Sequence, residues 1–248
     1  MWAVKSSVAA AFLCLIFGPF GAFCVVWTFL FAGRAEWLSA AVALGFAVFA
    51  LGMVAMLVVV ASGRVSPRVT CRDGVTTVRP DPRIDRCLMA STIGVFIAMG
   101  VYAVFAPLNM LDIPTPRGDQ KYYVAMCAVG AAIGVFSMGQ IARQRGMSLL
   151  RMSADGIAMG NSMTTARRTW DELAEIADRP RNGRKPTGTT YIATDDGGIR
   201  TLPSDWYTPA GQALRDLMRF YWEHPEHREE LADGQAVQRL NVVARGAE

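Results

Sequence analysis

The chain has 248 residues, 52% of them hydrophobic, and a formal net charge of +4. Residues 1–145 carry 12 Lys and Arg against 6 Asp and Glu, whereas residues 146–248 carry 13 against 15. A nucleic-acid-binding protein would concentrate its basic residues on the soluble part, so this distribution argues against nucleic acid as a partner. Long charge-free stretches before Ala142 predict a membrane domain, and the remainder is typical of a soluble domain.

Four apolar stretches are each long enough to cross a bilayer, which takes about 20 residues. None of them contains Asp, Glu, Lys, Arg or His. The first is too long for a signal peptide and the second follows it closely, so we expect it to be retained. We number them spans one to four, within a predicted transmembrane domain of residues 1–145: Val8–Phe31, Trp37–Ala61, Leu88–Leu108 and Tyr122–Ala142.

Arginine is distributed unequally between the loops. The segment of about residues 64–86, between spans two and three, contains six arginines. The loop after span one contains only Arg34, and the loop after span three contains Arg117 and Lys121. Because cytoplasmic loops are enriched in Lys and Arg, this pattern predicts a multi-pass protein of the plasma (inner) membrane with cytoplasmic N- and C-termini.

Small residues recur at four-residue spacing in spans three and four. Such faces allow helix backbones to approach closely in lipid. Packing within the four-helix bundle is the interpretation we favour, and a docking face for the helices of a partner is the alternative. The candidate helix-packing residues are Ala90, Gly94, Ala98, Gly130 and Gly134.

A shift of 82 residues superimposes spans one and two on spans three and four without gaps. The same shift aligns Asp73-Gly74 with Asp155-Gly156. The sequence therefore predicts a tandem two-helix repeat, with a cytoplasmic hairpin around Val69–Val78 that could pack on the soluble domain.

From residue 146 to residue 248 the pattern changes to short strands separated by turns. Asp155-Gly156 and Asp195-Asp196-Gly197-Gly198 indicate two hairpin turns. Strands are expected near residues 150–152, 157–159, 164–169, 174–177, 189–194 and 199–202.

An amphipathic helix is expected after these strands. Thr208 can cap it, and Pro209 suits its first turn. Its apolar stripe and a polar face of Arg215, Asp216 and Arg219 predict a helix that covers a small sheet. The predicted fold class is a four-helix membrane domain followed by a cytoplasmic α+β domain, residues 146–248, which we expect to fold without the spans. The stripe consists of Leu214, Leu217, Met218 and Tyr221.

Three segments carry a resemblance to a known family: LLRMSADGIAMG at 149–160, RRTWDEL at 167–173 and YWEHPEHREEL at 221–231. They resemble the C-terminal domains of actinobacterial membrane proteins with a bacterial PH-like fold, over about residues 143–232. The resemblance implies a PH-like binding or scaffolding module rather than an enzyme.

The residues that could support catalysis or metal binding have simpler interpretations. His224 and His227 are the only histidines, and a zinc site would need further ligands. We expect them to link two helices, we expect Asp195 and Asp196 to form a turn, and we expect Trp170 to lie in the core. The sequence therefore predicts no catalytic, cofactor-binding or metal site.

One basic loop is a candidate contact for anionic lipid. Clustered cations near a cytoplasmic leaflet attract anionic head groups at roughly 1 kcal/mol each. A solvated hairpin loop is the alternative that we favour. The cluster consists of Arg179, Arg181, Arg184 and Lys185.

The architecture indicates a non-enzymatic accessory or scaffold subunit, with membrane lipids and other integral membrane subunits as its partners. The resemblance to actinobacterial membrane proteins suggests a host complex, namely a lipid importer of the Mce class. A membrane-anchored sensor of anionic head groups is the second hypothesis. A transporter is the weakest, because transport paths usually place ionisable groups within the spans.

Overall fold

The computed structural model of the protein describes residues 3–113, 119–144, 146–161, 163–179 and 188–246. The chain forms two compact units. A helical unit is formed by Val8–Val58 and Arg86–Arg145, and an α+β unit is formed mainly by Val59–Asp85 and Gly146–Glu248. The α+β unit therefore contains the segment between the second and third spans as well as the C-terminal region.

The helical unit contains the four predicted spans, each long and apolar enough to cross a membrane. Helix α2, Trp37–Ala61, has the predicted bounds, whereas α3, Pro82–Phe105, begins six residues earlier than span three. Asp81 explains the early start, because its carboxylate accepts a 2.8 Å hydrogen bond from the Arg83 N–H at the first turn. The helices are α1 Ala3–Gly33, α2 Trp37–Ala61, α3 Pro82–Phe105 and α4 Gln120–Gln144.

The helices of this unit pack closely where glycine is present. A methyl group on Gly45 of α2 would come within 2.5 Å of the Gly94 carbonyl oxygen of α3. In the same way, a methyl group on Gly21 of α1 would lie 2.8 Å from the Leu51 side chain. Small residues thus allow the helices to approach closely, which favours helix association in lipid.

The α+β unit contains two antiparallel sheets. The five-stranded sheet has the order β1-β2-β3-β4-β5, and the three-stranded sheet has the order β6-β7-β8. Both domain-class predictions are confirmed, namely the membrane helices and a C-terminal α+β domain. The strands are β1 Arg68–Arg72, β2 Val75–Arg79, β3 Ser148–Met152, β4 Gly156–Asn161, β5 Thr165–Thr169, β6 Leu173–Ala177, β7 Thr190–Thr194 and β8 Ile199–Leu202.

Strands β2 and β3 are neighbours in the sheet although α3 and α4 separate them in the sequence. Val78 pairs with Leu150, and Thr76 pairs with Met152. The β1–β2 hairpin thus belongs to the sheet of the C-terminal domain, as the sequence suggested it could. A fragment that begins at residue 146 lacks these two strands.

Three helices complete the α+β unit: α5 Gln212–Glu223, α6 Glu230–Asp233 and α7 Gln235–Gly246. Strand β2 contacts α6 through the Thr76 hydroxyl, which donates a 2.6 Å hydrogen bond to the Leu231 carbonyl. The core contains side chains from both sheets and from α5, among them Val78, Leu150 and Ile192, together with the fully buried Trp170. The prediction that Trp170 lies in the core is confirmed.

Helix α5 differs from its sequence prediction in two respects. It begins at Gln212, because Pro209–Gly211 form a separate 3-10 turn in which Ala210 has a φ of 54° and Gly211 a φ of 70°. The expectation that Arg215 faces away is wrong, because Arg215 is only 7% exposed. The polar side of α5 lies beside β6, where Arg219 donates a 2.7 Å hydrogen bond to the Ile176 carbonyl.

Candidate functional site

The outer face of the five-stranded sheet carries a transverse row of side chains. Successive side chains of a strand point to opposite faces, and Leu150 and Met152 of β3 enter the core, so Arg151 points outward. Pairing places Thr77 beside Arg151, Arg151 beside Ala158, and Ala158 beside Arg167. Two arginines on β3 and β5 therefore flank the small side chain of Ala158 on β4.

The spacing of this row follows from sheet geometry. Neighbouring strands lie about 4.8 Å apart, so the backbones of Arg151 and Arg167 are about 10 Å apart. Ala158 fills little of the space between them. The result is an open groove with a volume of about 620 Å³. We call it the arginine groove, and its polar lining includes Arg72, Asp73, Thr77, Arg151, Ser153, Asp155, Arg167, Arg168, Thr169 and Glu172.

Four arginines and three acidic residues line the arginine groove, which gives it a formal charge of +1. Arg168 is paired, with Asp196 at 3.1 Å and Glu172 at 4.0 Å. Within the described parts of the chain, the guanidinium groups of Arg72, Arg151 and Arg167 form no ion pair or hydrogen bond. The groove thus presents three arginines whose fork geometry suits carboxylate or phosphate oxygens.

The two acids that pair with Arg168 also accept hydrogen bonds from nearby turns. Glu172 accepts a 3.1 Å hydrogen bond from the Thr169 N–H at the start of a 3-10 turn. Hydrogen bonds from the Thr194 hydroxyl and the Gly198 N–H, together with the charge of Arg168, hold the pKa of Asp196 below its usual value. These two carboxylates therefore stabilise turns of the domain and partner Arg168.

Two buried carboxylates lie where the chain leaves the sheet. Asp81 accepts a 3.0 Å hydrogen bond from the Ser66 N–H in addition to capping α3. Asp85 accepts bonds of 2.9 Å from Arg68 and from the Met147 N–H. Each acid is thus engaged by neighbouring backbone or arginine groups, which indicates a structural role.

The candidate helix-packing residues of α3 have different surroundings. Gly94 and Ala98 are buried, and both lie against Gly45 of α2. Ala90 is exposed on the same helix.

The two candidates on α4 pack against large side chains of α3. A methyl group on Gly130 would collide with the Met99 side chain, and one on Gly134 would collide with Phe96. Four of the five candidates therefore contact a helix of this chain, while docking of a partner at these positions stays a hypothesis.

The basic loop lies largely outside the described residues. Arg181, Arg184 and Lys185 fall in the segment that the structure does not describe. Arg179 is described, and its Nε lies 3.5 Å from an oxygen of Asp178.

The two histidines lie in a network that joins the last helices. His227 Nδ1 is 2.9 Å from Glu230, and Glu230 also accepts two hydrogen bonds, of 2.9 and 2.7 Å, from Arg239. His224 stacks on Phe220 with ring centres 4.7 Å apart. No group of three or more potential metal ligands occurs among the described residues.

Sequence reasoning did not identify the arginine groove. The outward position of Arg151 could have been read from the alternation of β3. Arg72 and Thr77 complete the lining of the groove only because β2 lies beside β3, and no local sequence signal specifies that pairing.

Comparison of the chain with protein-family models, curated proteins and solved structures gives no match. The class of protein therefore follows from the architecture: four helices able to cross a membrane and an α+β domain with antiparallel sheets.

Proposed function

We propose that the protein is a non-enzymatic accessory or scaffold subunit of a larger membrane complex. The observation that carries this proposal is the divided sheet, in which β1 and β2 precede α3 and β3 follows α4. The α+β domain is consequently joined to membrane helices at three points along the chain. Such a domain cannot diffuse from the membrane, so it is suited to hold a partner in a defined position.

The PH-like fold is part of the same proposal. Two antiparallel sheets followed by a helix that enters their shared core are in keeping with a PH-like module. Because such modules bind and position ligands or proteins, the fold supports a scaffold. A lipid importer of the Mce class is the host complex that we propose.

We further propose that the domain and both termini are cytoplasmic, on the strength of the arginine-rich segment between α2 and α3. A reporter inserted in the exposed Asp73-Gly74 turn, or fused after Glu248, should read as cytoplasmic. A reporter at Gly118 should read as external and is the matched control. An external reading at the Asp73-Gly74 turn contradicts the proposed orientation.

Gentle solubilisation of native membranes tests the accessory function. The full-length tagged chain should elute in a stoichiometric complex with an integral membrane permease or its ATPase, measured by native mass spectrometry. A parallel purification of an unrelated four-span protein with the same tag controls for detergent aggregates. A monomer without protein partners contradicts the proposal.

A membrane-anchored sensor of anionic lipid head groups is the second candidate function. The arginine groove favours it, because guanidinium groups bind phosphate oxygens as well as carboxylates. Under this alternative, the purified monomer should retain anionic phospholipid through several detergent exchanges, and Arg151→Gln with Arg167→Gln should release it.

A further inference from the structure

We infer that the arginine groove binds an acidic segment of a partner protein, an inference that rests on the accessory function proposed above. The groove lies on the outer face of the five-stranded sheet, between Arg151 and Arg167 and next to Arg72. Its occupant supplies carboxylates to arginines that have no partner in the described chain.

The first argument is that Arg151 and Arg167 form no ion pair within the described chain. Arg168 in the same groove is paired with two acids, at 3.1 and 4.0 Å. Arg151 and Arg167 have no such partner among the described residues, although Asp155 and Glu172 line the same groove. The sheet register, rather than ion pairing, fixes the positions from which these two side chains project. A negatively charged ligand can therefore bind Arg151 and Arg167 without displacing an existing ion-pair partner.

The spacing of charge is the second argument. The backbones of Arg151 and Arg167 are about 10 Å apart, so each guanidinium fork can bind a separate carboxylate of the same polypeptide. The acidic residues Asp73, Asp155 and Glu172 line the same groove, and a flexible polypeptide can direct its carboxylates to the arginines and away from these acids. A polypeptide with carboxylates some 10 Å apart can therefore pair with both arginines.

The floor of the groove is the third argument. Ala158 and Gly156 project little above the sheet, between strands that carry the arginines. A polypeptide backbone can therefore approach the sheet closely while its side chains reach the guanidinium groups.

The test uses the full-length protein in nanodiscs of phosphatidylcholine, with fluorescein-labelled octaglutamate as the probe. Fluorescence anisotropy at 20 mM NaCl should show saturable binding that weakens at 300 mM NaCl, because salt screens exposed charges. The variant Arg151→Gln with Arg167→Gln should bind at least tenfold more weakly. Arg64→Gln with Arg200→Gln is the matched control, since it removes the same charge from exposed arginines outside the groove and should change binding less than twofold.

A charge reversal provides an independent readout. Arg151→Glu with Arg167→Glu should lose octaglutamate binding and gain binding of labelled octalysine, which a merely unfolded domain would not do. Equal loss of octaglutamate binding in the groove and control variants shows attraction to bulk charge and overturns the inference. The inference is also overturned if octaglutamate fails to bind while vesicles of phosphatidylglycerol bind through Arg151 and Arg167.

The outcome is separable from that of the co-purification experiment. A native complex that survives Arg151→Gln with Arg167→Gln, together with absent octaglutamate binding, refutes the groove and leaves the accessory function standing. Octaglutamate binding by a chain that never co-purifies with a partner refutes the accessory function while supporting the chemistry of the groove.

Discussion

The two sheets of the α+β domain are assembled from the chain in different ways. The strands β6, β7 and β8 follow one another within residues 173–202, whereas the five-stranded sheet joins residues 68–79 to residues 148–169. Both sheets nevertheless contribute to one hydrophobic core. The comparison teaches that short turns join neighbouring strands such as β3 and β4, while burial of a common apolar face brings distant hairpins together.

Removal of the β1–β2 hairpin is the change with the largest expected effect. Residues 146–248 alone lose Val78 and Thr76 from the core side and leave β3 as an open edge. This fragment should fail to unfold cooperatively when followed by near-ultraviolet circular dichroism. The sequence-based expectation that this fragment folds by itself stays a prediction, and this measurement decides between the two outcomes.

A fused fragment is the control. Residues 64–81 joined to residues 147–248 by an Asn-Gly turn restore β1 and β2 in their native register, because Val78 pairs with Leu150 and the same register places Asp81 opposite Met147. The fusion should show a cooperative thermal transition. Cooperative unfolding of the shorter fragment would mean that β1 and β2 are dispensable.

Gly156→Ala should weaken the five-stranded sheet by about 3 kcal/mol, the upper range for overpacking. A methyl group here would collide with the Arg168 carbonyl oxygen and would lie 2.8 Å from the Thr169 Cα, so β4 and β5 must separate. Hydrogen exchange of the β4 and β5 amides in the full-length protein measures the change. Unchanged protection of those amides would contradict the close approach.

Asp205→Asn changes a residue that follows the three-stranded sheet, and it should alter the pH dependence of stability. Burial raises the pKa of Asp205 to about 6. Because this carboxyl titrates near pH 4 when unfolded, the folded state holds its proton more strongly, and stability falls as the pH rises from about 4 to 6. The variant should therefore gain about 2 kcal/mol at pH 8 and little at pH 4. An equal gain at both pH values would exclude ionisation as the cause.

Gly74→Ala should have the smallest effect, about 1 kcal/mol. Gly74 has a φ of 74° in the exposed β1–β2 turn, and a methyl group there meets only Ala232, at 4.0 Å. The cost is thus backbone strain without a collision. Hydrogen exchange of the β1 amides should rise modestly. An effect as large as that of Gly156→Ala would contradict this difference between the two Asp-Gly turns.

The sequence predicts the local elements well for identifiable reasons. Charge-free stretches define the four helices, and α2 has the predicted bounds Trp37–Ala61. The six strands expected after residue 146 are all present, because alternation and glycine-containing turns are local properties. The tandem repeat stays a prediction: a hairpin follows both α2 and α4, but Asp73 and Gly74 have positive φ whereas Asp155 and Gly156 do not.

Three features could not be predicted because they depend on distant contacts. The pairing of β2 with β3 requires the folded core. The late start of α5 depends on Gly211, where a methyl group would lie 2.6 Å from the Gly188 carbonyl oxygen. Arg215 carries a charge that sequence patterns place in solvent, yet it is buried, and burial lowers its pKa. The part of the arginine groove that Arg72 and Thr77 line depends on the first of these features.

The divided sheet also sets an order of events during synthesis. Between Arg79, the last residue of β2, and Ser148, the first of β3, the ribosome must add 68 residues. At about 5–20 residues per second this takes about 3–14 s, during which the β1–β2 hairpin has no third strand. An isolated hairpin is only marginally stable, so it is exposed to proteases and chaperones throughout this interval. Completion of the sheet therefore reports that the last two membrane helices have been made, and a nascent chain that stalls between them displays an unpaired strand to quality control.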